Sequence, residues 1–362
     1  MSAFDRLARW WPGRWRTPPA RTPVPEASLP VSPGRKRGAV DHVIILDGTL
    51  SSLQAGQQSN AGILAQLLRE GGPIAQRTVY YEQGLQWMGW RNVMDVAQGR
   101  GLSRQIRRAY GFLASHYREG DRIYLFGYSR GAFAVRSLAG VIDRVGLLKR
   151  DHATERGVVL AWRHYRMGPD TTPARAFAKR FCHEQAPIQM VGVWDTVKAL
   201  GLRLPILWLL TDKRNAFHNH HLGSSIRHGF HALALDETRA VFAPVLWDCP
   251  PGWEGNVEQV WFRGAHGDIG GQLGNYTQAR PLANIPLVWM LDRAETVGLT
   301  LPPGWRDRFP CDATAPSLGT WRGWGKWFLL RHRRSVGQDP SERLHPTVPT
   351  PRRHWWQRQT QA

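Results

Sequence analysis

The sequence predicts an α/β fold built on a mostly parallel central sheet with helices on both faces. Three observations carry this. Short, continuous apolar runs recur, as in His42–Asp47 (HVIILD), Arg122–Gly127 (RIYLFG) and Ile188–Trp194 (IQMVGVW), and unbroken rather than alternating runs mark strands buried on both faces. Segments of helical character separate them, as the right-handed crossovers of a parallel sheet require. With 42% hydrophobic residues over 362 positions, the chain can bury a sizeable core and is not wholly disordered.

Residues 1–40 hold seven prolines among many Arg, Ser and Thr, which predicts an extended or disordered basic tail. Within it, Trp10, Trp11 and Trp15 alternate with Arg6, Arg9, Arg14 and Arg16. That mixture suits an anionic membrane surface, although Pro12 would break a helix there and a solvated tail is the competing reading. One α/β domain is expected over residues 41–348, with no internal repeat, followed by a basic tail at 349–362. In order, the pattern predicts strand His42–Asp47, helix Asn60–Arg69, strand Gln76–Tyr81, helix Gly101–Tyr117, strand Arg122–Gly127 and helix Gly131–Val145. Helices at Thr154–Arg166 and Pro173–Arg180, strand Ile188–Trp194, and one or two helices over Leu222–Arg239 follow. Strand Val257–Phe262 and an amphipathic helix over Leu282–Thr296 complete the set.

The net charge of +20 leaves a nucleic-acid partner open until the charge is located. Residues 1–40 and 303–362 together carry 19 basic and 6 acidic side chains, and the 262 residues between them 29 and 22. The excess therefore belongs mainly to the ends, where it fits anionic lipid better than a nucleic-acid groove, and no nucleic-acid partner is expected. Cys182, Cys249 and Cys311 are odd in number and widely spaced, which points to a reducing compartment without disulfides or a cysteine zinc site. The longest apolar run, Leu204–Leu210, is too short to span a bilayer. The basic N-terminus lacks the apolar core of a signal peptide. A cytoplasmic location follows, or export by a contact-dependent secretion system.

Gly127-Tyr128-Ser129-Arg130-Gly131 fits GxSxG between a buried strand and a small-residue helix. A serine nucleophile in such a strand-to-helix elbow needs Gly127 and Gly131, because a Cβ at either would strike the neighbouring strand or helix. The turn would lift the Ser129 hydroxyl above the sheet and aim the Arg130 N–H at a substrate oxygen. The competing reading is an ordinary βα turn with a capping serine. A serine needs a base, and the base an orienting carboxylate. Asp195 follows the strand IQMVGVW, and His266 follows VEQVWFRGA in a Gly-rich turn. Both therefore stand at strand exits, in the order Ser, Asp, His. Alone, Asp195 would equally serve as a helix cap and His266 as a satisfied core histidine.

Asp47-Gly48-Thr49 ends the first strand, so Gly48 or Thr49 is the candidate for a second oxyanion N–H, with Asp47 supporting the loop. LDGTL also resembles the second half of the DxDGT loop of haloacid dehalogenase-like phosphatases, but Ile45 stands where their nucleophile would be. Asp268 is a metal ligand, an alternative triad carboxylate or a cap for the His266 loop, of which the cap is preferred. His218, His220, His221 and His228 match no metal-ligand spacing, and neither a metal nor a cofactor is expected. Arg331-His332-Arg333-Arg334 reads as a solvated charge run that could also grip phosphate.

Taken together, IILDGT, AYGFL (109–113), DRIYLFGYSRGAFAVRSLAG, VGVWDTVKALG, HALALDETR (231–239), VWFRGAHGDIGG and ERLHPTV (342–348) carry a resemblance. The chain resembles, from about Asp41 to Val348, a bacterial α/β-hydrolase family typified by type VI secretion phospholipase effectors of the first lipase class. It departs from that pattern at Leu50-Ser51, where the family usually has a small or polar residue and Asn. The resemblance implies an α/β-hydrolase fold and a Ser129–Asp195–His266 triad cleaving carboxylic esters, fatty-acyl esters of phospholipids among them. The alternatives are a cytosolic carboxylesterase acting on small soluble esters and a non-catalytic membrane-binding protein on the same fold. Pro205–Leu210 would be acyl-chain wall or buried core. The sequence identifies no immunity or secretion partner.

Overall fold

The apolar runs fold as strands in the computed structural model. It describes residues 38–49, 51, 53–54, 56–70, 76–84, 100–197, 222–248, 255–322 and 330–349. Residues 1–37 and 350–362, the Pro205–Leu210 run, Cys249 and the histidines at 218, 220 and 221 lie outside the described residues. Strands β1 (Asp41–Leu46), β2 (Arg77–Glu82), β3 (Arg122–Tyr128), β4 (Ile188–Trp194), β5 (His228–Ala234), β6 (Asn256–Phe262) and β7 (Glu342–Leu344) form one sheet. Its order is β2-β1-β3-β4-β5-β6-β7, and every pairing is parallel.

The described helices are α1 (Asn60–Glu70), α2 (Arg100–His116), α3 (Arg130–Val145), α4 (Glu155–Met167), α5 (Thr172–Phe181), the short α6 (His266–Gly270) and α7 (Arg280–Thr296). Successive strand residues point to opposite faces, and both faces are covered. Ile44, Leu46, Ile123 and Leu125 pack with residues of α2, α3 and α4, such as Leu113, Val135, Leu138 and Ala161. Val43, Ile45, Tyr124 and Phe126 pack on the other side with Leu64 of α1 and Leu287, Met290 and Leu291 of α7. Each such aliphatic side chain, taken fully out of water, contributes about 1.5–3 kcal/mol before the entropy of ordering it.

Three differences from the sequence reading have physical causes. The segment expected to be helical over Leu222–Arg239 instead contains β5, which pairs with β4 and β6. Its alanines and leucines have helical propensity, but the gap between two strands overrides it, placing Phe230, Ala232 and Ala234 in one core and Leu233 in another. Helix α7 is not amphipathic. Its buried residues, Leu282, Ile285, Leu287, Trp289, Met290 and Ala294 among them, lie nearly all round it, as in a helix enclosed by its own domain. Strand β7 is an additional short edge strand, anchored where the Trp261 indole N–H donates to Glu342 at 2.7 Å.

Because all the strands run the same way, their C-terminal ends share one edge of the sheet. Asp47, Ser129 and Asp195 leave neighbouring strands at that edge, and the loop after β6 brings His266 back across it.

Candidate active site

Ser129 occupies the turn between β3 and α3 with φ 57° and ψ −120°, a left-handed conformation that costs a non-glycine residue on the order of 1–3 kcal/mol. The turn is held from both sides. The Ser129 N–H donates to the Trp194 carbonyl at 3.1 Å, and the Phe133 N–H returns to the Ser129 carbonyl at 3.2 Å. Any side chain at Gly131 would strike the Leu46 carbonyl, and a Cβ at Gly127 would lie 2.6 Å from the Gly131 carbonyl oxygen. Helix and strand approach this closely only because both positions are glycine.

The Ser129 Oγ lies 2.8 Å from Nε2 of His266, and Nδ1 of the same ring lies 2.6 Å from Oδ2 of Asp195. An ionised carboxylate only accepts hydrogen bonds. The neutral imidazole therefore donates from Nδ1 to Asp195 and presents Nε2 as acceptor to the Ser129 hydroxyl. All three side chains are buried, Ser129 at 8% exposure, His266 at 6% and Asp195 at 0%.

Asp195 also has a positive φ, 41°. Its N–H donates to the Ala232 carbonyl at 2.8 Å, and its Oδ1 accepts the Ala234 N–H at 3.0 Å. Arg334 grips it as well, with Nη1 2.5 Å from Oδ1 and Nη2 2.9 Å from Oδ2. Burial pushes the Asp195 carboxyl up, but the Arg334 guanidinium and the His266 hydrogen bond outweigh it and hold the group well below the usual carboxylate range. Arg334 is thus buried against the site, contrary to the expectation of a solvated run. Arg331 is half-buried and donates to the hydroxyls of Thr238 and Thr320, while His332 and Arg333 are exposed.

His266 is fixed by its surroundings. Its backbone N–H donates to Oε2 of buried Glu237 at 3.1 Å, and its ring packs against Phe242 and Tyr128, with centroids 4.7 and 5.0 Å away. Burial raises the Glu237 carboxyl, and the two-pronged contact from Arg239 more than reverses this. Asp268 turns its carboxylate onto its own loop, where Oδ2 accepts the Ala265 N–H at 2.8 Å and the Ser317 hydroxyl at 2.6 Å. Its Oδ1 accepts the Leu318 N–H at 2.7 Å.

In the loop after β1, Asp47 is nearly fully buried, and its Oδ2 accepts the Ser59 hydroxyl at 2.6 Å and the Tyr81 hydroxyl at 2.8 Å. Its Oδ1 takes the Gly48 N–H at 2.6 Å. That bond departs from the expectation that the Gly48 N–H is free for a substrate oxygen. Of the two candidates, Thr49 keeps an N–H without a hydrogen bond among the described residues. Gly48 still borders the site, since a Cβ on it would lie 3.4 Å from Ser129 Cβ. Among the described residues, no three His, Cys, Asp or Glu side chains gather as a metal site, and no helix is long and apolar enough to cross a membrane.

Sequence reasoning missed Arg334, Glu237, Phe242 and Tyr128 as partners of these groups. Glu237 had a signal, three residues past a strand end, that the helical reading of the segment hid. Arg334 had none, because nothing local ties position 334 to position 195.

The parallel sheet, the strained serine turn and the Ser129–His266–Asp195 row define a protein of the α/β-hydrolase class. The chain belongs to the family described as "T6SS, Phospholipase effector Tle1-like, catalytic domain", which it matches over residues 41–293. It is similar to the uncharacterized protein YEL023C of Saccharomyces cerevisiae, 30% identical over 235 residues that cover 58% of this chain and 33% of that protein. The chain thus spans about a third of that relative. Among solved structures, an uncharacterized protein from Pseudomonas aeruginosa aligns at 17% identity and a TM-score of 0.39, over 77% of this chain and 52% of that one. The Tle1 effector bound to the VgrG spike of the type 6 secretion system aligns at 18% and 0.34, over 67% and 53%.

Proposed function

We propose that this protein is a serine carboxylic ester hydrolase of phospholipase type, with Ser129, His266 and Asp195 as its triad. The observation that carries the reading is the unbroken row from Ser129 Oγ through both nitrogens of His266 to Asp195, at 2.8 and 2.6 Å. Ser129 Oγ attacks the ester carbonyl carbon as Nε2 of His266 takes its proton, and the ionised Asp195 stabilises the resulting imidazolium. The oxyanion is met by the N–H of Arg130, the first residue of α3, and by that of Thr49, with Gly48 shaping the loop. Each donor of this kind is worth about 3–4 kcal/mol in the transition state. As the intermediate collapses, the ester C–O bond breaks and His266 returns its proton to the leaving alcohol. Water then attacks the acyl-Ser129 ester, giving its proton to His266, and the acid departs as Ser129 recovers its hydrogen.

Membership of a phospholipase effector family favours fatty-acyl esters of phospholipids as substrates and export by a type VI secretion system. The basic, Trp-bearing residues 1–40 supply attraction to anionic headgroups. Mass spectrometry of products from mixed phospholipid vesicles tests the reading, with Ser129→Ala as control. Free fatty acid and lysophospholipid are expected from the wild type alone. Cleavage of short soluble esters with phospholipids untouched would favour the small-ester alternative, and no hydrolysis of either would overturn the assignment.

A further inference from the structure

The Asp195 carboxylate has two cationic or potentially cationic neighbours. His266 is part of the proposed triad, and Arg334 has no part in the chemistry described above. Arg334 is 5% exposed, and all four N–H groups of its terminal nitrogens are used. Nη1 donates to Asp195 Oδ1 at 2.5 Å and to the Ala234 carbonyl at 2.8 Å, and Nη2 donates to Asp195 Oδ2 at 2.9 Å and to the Phe242 carbonyl. A planar guanidinium bound at both carboxylate oxygens fixes the plane of that carboxylate as well as its charge. The same fork ties the ends of β5 and of the turn that carries Phe242, the residue stacked on His266. Arg334 comes from the segment after α7, beyond the residues matched to the family, and that segment is pinned nearby by the bridge between Arg239 and Arg331.

We propose that Arg334 is a positioning residue for the triad, holding the Asp195 carboxylate in the plane of the His266 imidazole and balancing its charge. This rests on the ester-hydrolase reading. The charge balance has a consequence for His266. The charged and titratable groups around the pair are Ser129 and Tyr128 from the β3 end, Glu237 and Arg239 from the turn after β5, Asp268 from α6, and buried His231 of β5, itself beside the half-buried Arg136 of α3. With Arg334 in place, losing the proton from the His266–Asp195 pair leaves a neutral Arg–Asp couple. Without it, the same loss leaves a buried, uncompensated carboxylate. The pair therefore holds its proton to higher pH when Arg334 is absent.

The test uses the full chain and p-nitrophenyl butyrate, with Arg334→Lys, Arg334→Met, Ser129→Ala, Asp195→Asn and the Asp195→Asn/Arg334→Met double variant. For Arg334→Met, the acid limb of kcat/KM should move up by about one pH unit, and kcat should fall about tenfold or more with KM within about twofold. Arg334→Lys keeps the charge and loses the fork, so its kcat should fall while its limb stays near that of the wild type. In the Asp195→Asn background, Arg334→Met should cost less than about twofold, since there is no carboxylate left to hold. A purely structural Arg334 predicts unmoved limbs and the same loss in both backgrounds, and that result overturns the proposal. Should Arg334→Met not fold, Arg334→Lys, which leaves no buried carboxylate without a cation, decides through kcat, and a wild-type value overturns the proposal. Ser129-dependent turnover with indifferent Arg334 variants sinks the positioning role alone, whereas a wild type no more active than Ser129→Ala sinks both readings.

Discussion

Phe242 lies almost flat on the imidazole of His266, with ring centroids 4.7 Å apart and planes 14° from parallel. The Arg239 guanidinium also sits 4.3 Å from the Phe242 centroid, and Arg239 in turn pairs with Glu237. The stack limits rotation of the ring that hydrogen-bonds Asp195 and Ser129 together. Phe242→Ala should lower kcat roughly tenfold through loss of alignment, with little change in KM. Because Phe242 is only half-buried, the cost in stability should be about 1–2 kcal/mol, below that of a core phenylalanine. Steady-state kinetics alongside thermal melting separates the two effects.

The elbow leaves no room for a methyl group. Gly131→Ala drives its Cβ onto the Leu46 carbonyl of the adjacent strand, an obstacle of backbone and not of movable side chain. A loss of about 3 kcal/mol or more is expected. It would be read as an insoluble product or a greatly lowered melting temperature, and a variant of wild-type stability would contradict the packing described.

Acid should destabilise the protein in two stages. Burial pushes His231 down from 6.5 to about 3, so the unfolded chain takes up a proton that the native state refuses. With the folded value depressed, stability falls as pH drops below 6.5. Between pH 6.5 and pH 5 this histidine accounts for about 2 kcal/mol. Urea unfolding at the two pH values measures the slope, and His231→Gln should remove that share of it. Below about pH 4 the depressed carboxyls of Asp195 and Glu237 add a second fall.

The charge on residues 1–40 yields a prediction separable from the chemistry. Deleting them should weaken binding to anionic vesicles, most at low salt, and leave turnover of soluble esters unchanged. Vesicle co-sedimentation across a salt series checks this, and salt-independent binding would refute it.

What was legible in the sequence follows from how locally each feature is encoded. The turn at Ser129 is written in five consecutive residues, with its strand and helix on either side, and so could be read directly. Asp195 and His266 could be read because a parallel sheet gathers the ends of its strands, making a polar residue just past an apolar run a candidate wherever it falls. The β5 segment misled because Ala and Leu suit helices, and only pairing with β4 and β6 makes it a strand. That error also concealed Glu237 and Phe242, whose positions make sense only beyond a strand end. Arg334 was out of reach for a different reason. A basic run looks the same whether it faces water or a buried carboxylate, and the choice is made by tertiary contacts.

The central claim is that Ser129 is the nucleophile activated by His266. The most direct measurement is intact-mass and peptide mass spectrometry after treatment with a fluorophosphonate, on the wild type and on His266→Ala. The account predicts a single adduct mapped to Ser129, formed in step with the loss of esterase activity and far more slowly in the variant. Loss of activity without an adduct on Ser129, or an adduct on a different residue, would contradict it.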